Sequence, residues 1–340
     1  MCAHSCPFRG CRMAPPREAL VACACWTASS LAMNVVNKEV AVRFGGSANE
    51  VVCVQMLVTT VVQLPGARLE RGWRRWAVVV PPLFALMLTT SMWALSCVSI
   101  GSFVVARNAT PLLTFALEAC HGREPVTATR LCLLLGLLAG SLLYERANLR
   151  FDGLGTAYLA LNMVAGALER YAQQRMLGDP AMECSTATRS MLNNGVAAAL
   201  LAPALLATEP HKVAGVAAWP SSHSLADNAM LASSCAVATL LSRAGLWAQS
   251  LVSATDFLVL GCVSKVALIG LGMAVYRDSH SLASVLAVAL SVGSGLGFAL
   301  RGRIEDRLRR FEIEARKATS CEDFTDEQEM SSFLLSWRRG

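Results

Sequence analysis

The chain has 340 residues, 54% apolar and 16% charged, with a formal net charge of +6. A soluble domain carries about 25% charged residues. Here the charge is missing from long blocks, which excludes an ordinary soluble enzyme and a nucleic-acid-binding domain. The 13 cysteines fall largely inside those blocks and form no CxxC pair, so neither a disulfide framework nor a zinc site is expected.

Residues 1–18 hold Arg9, Arg12 and Arg17 and no small-residue cleavage site, so the first apolar block is expected to be a retained helix behind a cytosolic segment. About 20 apolar residues cross a bilayer as a helix. Ten such blocks follow, at about 19–37, 49–65, 76–97, 99–119, 129–145, 154–177, 187–208, 227–247, 252–276 and 281–300. The expected fold is an all-α membrane protein, with ten transmembrane helices as two inverted five-helix repeats (about 19–145 and 154–300). Residues 301–340 form a charged cytosolic tail. Counting Lys and Arg in the connections places 21 on the side of the termini and six on the other (Lys38, Arg43, Arg146, Arg150, Lys212 and Arg277). By the positive-inside rule both termini are expected in the cytosol.

Three basic residues lie inside apolar blocks: Arg107 in the fourth, Arg170 in the sixth and Lys265 in the ninth. A charge at mid-bilayer costs about 2.5–3.5 kcal/mol on the lenient insertion scale, so it is kept mainly to face a polar cavity or a partner. Arg107 and Lys265 sit near mid-block in equivalent repeats, which is where inverted-repeat carriers bind substrate. Two cations there point to an anionic substrate, and a guanidinium suits phosphate. The alternative is that Arg107 pairs with Glu118 or Asp256. Arg170, beside Glu169 and near the cytosolic end of its block, is expected to snorkel to the boundary.

The adjacent amides Asn193 and Asn194 suit a nucleobase edge, or else a helix cap or a helix–helix hydrogen bond. Gly136/Gly140 and Gly293/Gly297 are GxxxG patterns in the fifth and tenth blocks. They allow close helix approach, either in a homodimer or within one chain. All five histidines (His4, His121, His211, His223 and His280) lie in tails or connections. No catalytic cluster, cofactor or metal is therefore expected.

Several of these stretches resemble the nucleotide-sugar transporters of the drug/metabolite transporter superfamily, closest to their GDP-mannose branch. WTASSLAMNVVNKEV in the first block is similar to the family's Ser-Ser and Asn-Lys entrance. ARNATPLLTFALE, with Arg107, Asn108, Thr110 and Glu118, resembles a Phe-Lys-Asn-x-Thr stretch followed by Glu. Asn193-Asn194 match the end of a Phe-Tyr-Asn-Asn motif. The run from Ser253 to Lys265 resembles a Gly-Ala-Leu-Asn-Lys region. The resemblance implies a Golgi antiporter that brings a GDP-sugar, GDP-mannose first, into the lumen in exchange for a nucleoside monophosphate. It implies that Asn193, Asn194 and Ser242 contact the base and that Gly261 allows close backbone approach. It also implies that Arg107, Asn108, Phe257, Ser264 and Lys265 line the rest of the pocket. Arg107 stands where the branch has Lys, Ser264 where it has Asn, Phe257 where it has Tyr, and Met191-Leu192 where it has an aromatic pair. A plastid-type sugar-phosphate exchanger of the same superfamily is the alternative, and it is expected to carry a longer Ser- and Arg-rich leader.

Overall fold

A computed structural model describes residues 16–43, 48–69, 71–98, 100–145, 153–182, 184–264, 282–302 and 305. The described regular structure is helical throughout. In chain order the helices are α1 (Pro16–Arg43), α2 (Ala48–Gln63), α3 (Trp73–Ala77), α4 (Val80–Cys97), α5 (Ile100–Cys120), α6 (Ala128–Glu145), α7 (Gly153–Leu177), α8 (Thr186–Thr208), α9 (Pro210–Ser222) and α10 (Leu225–Leu251). They are followed by α11 (Ala254–Ser264) and α12 (Leu282–Ala299). Each of the ten apolar blocks thus contains a helix, while α3 and α9 lie in connections. The ends carry ordinary helix signals: Ser185 and Ser224 are extended N-caps that accept from Thr188 N and Asp227 N, which satisfies free first-turn donors.

Among the described residues, α8, α10 and α12 are long and apolar enough to cross a membrane. Large apolar side chains also stand on the outside of the bundle. Leu282 is 75% exposed, and Leu286, Leu240 and Val61 are each about 60% exposed. In contrast, Thr90, Thr114, Glu169, Thr188 and Gln249 are fully buried. Apolar residues outside and polar residues inside mark an all-α fold of the membrane-protein kind, where small and polar residues join helices to one another.

Several helix pairings correspond when α1, α2, α4, α5 and α6 are exchanged for α7, α8, α10, α11 and α12. The pair α1–α10 corresponds to α4–α7, and α2–α10 corresponds to α4–α8. The contact of α5 with α7 corresponds to that of α11 with α1, where Phe257 packs on Trp26. The pairs α2–α8 and α6–α12 map onto themselves. Across the α2–α10 seam Gln55 donates to Ser234 (3.2 Å), and the hydroxyls of Thr59 and Thr239 meet at 3.1 Å.

The α6–α12 seam depends on the missing side chains of its glycines. A Cβ at Gly140 would lie 2.7 Å from both the Ala287 carbonyl oxygen and the Ser291 nitrogen. One at Gly136 would strike the Ser294 hydroxyl, and one at Gly297 would come 2.8 Å from Leu133. Gly293 has open space beside it. Three of the four GxxxG glycines are therefore filled by contacts within the chain. At one end of this seam lies an ionic network. Arg130 binds Glu124 and Glu305, and Arg301 binds Asp256 (2.9 Å) and approaches Glu124. The Arg130 hydrogen bond holds Glu305 below the ordinary carboxylate range, whereas burial pushes Glu124 upward.

Candidate functional site

Helix α5 brings Arg107 into the bundle interior. Pro111 follows one turn later and has no N–H, so the Arg107 carbonyl lacks its helical donor. The guanidinium lies over the Phe103 ring and reaches the Ser91 hydroxyl only at 3.5 Å. The two carboxylates weighed as partners for Arg107 are engaged elsewhere. Glu118 accepts from Ala254 N (3.0 Å), Thr255 N (3.2 Å) and the Thr255 hydroxyl, and so caps α11. Asp256 binds Arg301. Among the described residues Arg107 forms no salt bridge within 4.0 Å.

Arg107 opens on a small cavity of about 20 Å³ shared with Met87, Thr110, Asn162, Gly166, Arg170 and Leu258. Helices α4, α5, α7 and α11 thus meet at one space, with one arginine from each half of the chain. Arg170 is turned into the bundle, not out to its edge, which corrects the expectation of snorkelling. Its Nε lies 3.0 Å from Glu169 Oε2. Its Nη1 donates to Gln173 (2.9 Å) and Gln249 (3.4 Å), and its guanidinium lies 5.2 Å from the Phe257 ring centroid. Gln249 returns a hydrogen bond to the Arg170 carbonyl at 2.9 Å. Asn162 lies two turns before Arg170 on the same face of α7, where its amide donates to the Met87 carbonyl, Thr90 and Ser91 (2.6, 3.1 and 2.8 Å). Two guanidinium groups and a polar wall in a low-dielectric interior form a site that attracts an anion, and planar guanidinium groups match phosphate oxygens.

The other expected site residues are distributed around this cavity. Asn108, one position on from Arg107, points to α6 and donates to Ser141 at 2.6 Å. Asn194 donates to the Ser190 carbonyl (2.8 Å) and to Ser242 (2.9 Å), and Ser242 also meets the Ser190 hydroxyl at 2.8 Å. That cluster joins α8 to α10. Asn193 faces a separate, smaller cavity of about 10 Å³ with Trp76, Val80, Pro81, Met176 and Arg189. Its Oδ1 is buried without a hydrogen bond among the described residues. Phe257 is buried between Trp26, at a centroid distance of 4.4 Å, and Arg170. Gly261 lies against Trp26, where a Cβ would come to 3.3 Å. Ser264 bonds back to the Leu260 carbonyl at 2.7 Å. Lys265 lies outside the described residues. Of the expected residues Arg107 lines the central cavity and Phe257 supports its second arginine. Arg170 and Asn162 are added by the structure. Their sequence signals are a Glu-Arg pair and an Asn inside an apolar block.

No family model matches the chain, and no characterised protein matches it in sequence. Among solved structures, a chain titled "Crystal structure of protein" is similar in fold. Its TM-score is 0.60 at 17% identity, over 83% of this chain and 96% of that one. At that identity the likeness concerns the fold alone.

Proposed function

We propose that this chain is an anion exchanger of the nucleotide-sugar kind. It carries a GDP-sugar, GDP-mannose first, from the cytosol to the Golgi lumen in exchange for a nucleoside monophosphate. The observation that carries this reading is the pairing of Arg107 and Arg170 around one interior cavity, with Glu169 as the carboxylate beside them among the described residues. Burying a second guanidinium without a counter-ion is costly, and a phosphate-bearing ligand offsets that cost. The exchange-symmetric pairing of α1, α2, α4, α5 and α6 with α7, α8, α10, α11 and α12 supports two inverted five-helix halves and ten spans. Carriers built this way switch access by rocking one half against the other around a fixed site. The basic connections support cytosolic termini. The Golgi, the guanine base and the mannose rest on the resemblance of the Asn193-Asn194 and Ser253–Lys265 stretches.

Proteoliposomes test the reading. Vesicles preloaded with GMP are expected to take up labelled GDP-mannose faster than empty vesicles. Arg107→Ala and Arg170→Ala are each expected to lower that uptake about tenfold or more, the loss of a charge-assisted contact. Equal uptake by loaded and empty vesicles would refute exchange. Preference for UMP or CMP would refute the GDP assignment. Uptake of triose phosphate against inorganic phosphate, without nucleotide exchange, would favour the sugar-phosphate alternative.

A further inference from the structure

Two buried carboxylates in the bundle are held in different ways. Glu118 accepts three hydrogen bonds at the head of α11. Glu169 is fully buried, yet neither of its carboxylate oxygens accepts a hydrogen bond among the described residues. Its partner is Arg170, whose Nε stands 3.0 Å away as an ionic contact. Three donors fix Glu118 in place as part of the scaffold. A carboxylate held by attraction alone is poorly compensated for its burial. The guanidinium it holds is one of the two that line the central cavity. Gln173 and Gln249 engage Nη1 of that guanidinium, and Nη2 makes no hydrogen bond among the described residues.

We infer that Glu169 is the resident counter-ion of the cavity, neutralising Arg170 when no ligand anion is present and competing with the ligand's phosphate for it. This rests on the exchanger reading and adds a role within the same site. A phosphate accepts hydrogen bonds from a guanidinium fork, so it displaces a contact that has none. Glu169 acts through Arg170 and is therefore a positioning residue. Its competition weakens ground-state binding and eases release, which raises both KM and kcat relative to a site without it.

The full-length chain in detergent is the material for the test, with GMP and inorganic phosphate as probes and melting temperature as readout. Both probes are expected to protect the wild type. Glu169→Gln is expected to reach half-protection at about tenfold lower GMP, the scale of removing one nearby competing charge. In proteoliposomes the same variant is expected to show lower KM together with lower kcat. Glu169→Asp keeps the charge but draws it back by one methylene, so its half-protecting concentration is expected between the two. A half-protecting concentration equal to or above the wild type's, in either variant that retains a cooperative melt, would overturn the inference and leave the exchanger reading standing. Failure of both anions to protect the wild type would overturn the exchanger reading and this inference with it.

Discussion

Replacing Gly140 with alanine tests the α6–α12 seam directly. The added methyl would lie 2.7 Å from the Ala287 carbonyl oxygen and from the Ser291 nitrogen. Ordinary van der Waals contact begins near 3.4 Å, so backbone atoms of α12 must retreat by about 0.7 Å, and no rotamer change relieves this. The Ser291 hydroxyl, which donates to the Leu137 carbonyl at 3.2 Å, is displaced with them. Overpacking of this kind costs about 1–3 kcal/mol. Alanine's better helix propensity, about 1 kcal/mol over glycine, offsets part of it. Gly136→Ala meets a serine hydroxyl that can rotate and is expected to cost less. Gly293→Ala meets nothing within 4 Å among the described residues and is expected to be neutral or stabilising. Melting temperatures of the purified protein in one detergent should therefore rank Gly293→Ala highest, then Gly136→Ala, then Gly140→Ala. A Gly140→Ala protein as stable as the Gly293→Ala protein would refute the packing argument.

Glu118→Gln keeps the shape of the α11 cap but weakens its acceptor. It is expected to cost about 1 kcal/mol and to speed hydrogen exchange at Ala254 and Thr255 without changing α5. A double-mutant cycle on Asn108→Ala and Ser141→Ala is expected to give a coupling near ~0.6 kcal/mol, typical of interhelical hydrogen bonds in membranes. Zero coupling would deny that the 2.6 Å contact joins the helices. The Glu305 carboxyl is held low by Arg130, so its contribution is present above the unfolded value of about 4.3 and lost as pH falls through the lower folded value. Acid titration of the melting temperature should show that loss in the wild type and lose it in Glu305→Gln. Glu124, raised by burial, has the opposite sign: its contribution is present at low pH and fades as pH rises through its folded value.

Among the described residues each long helix falls in an apolar block, because a mostly apolar run of about 20 residues favours a helix buried on several sides. The short helices α3 and α9 were not legible. Trp73–Ala77 is five residues, two of them arginines, and Pro210–Ser222 lies in a connection too short to span. Arg107 was legible because it sits deep in its block. Arg170 was misjudged because depth along a helix does not say which face a side chain occupies. Its inward turn is set by Gln249 of α10, 79 residues away in sequence. Asn193 and Asn194 read as a pair, but neighbours on a helix point about 100° apart. Accordingly one bonds within the α8–α10 cluster, while the other faces the cavity beside Trp76.

The seam between α6 and α12 also bears on how the chain is made. Helix α6 is complete at Glu145, but the helix its glycines require ends at Ala299. At about 5–20 residues per second the ribosome takes roughly 8–30 s to supply it. Throughout that interval the notched face of α6 lacks the helix that fills it. A truncation that removes α12 therefore leaves Gly136 and Gly140 without the residues that pack on them.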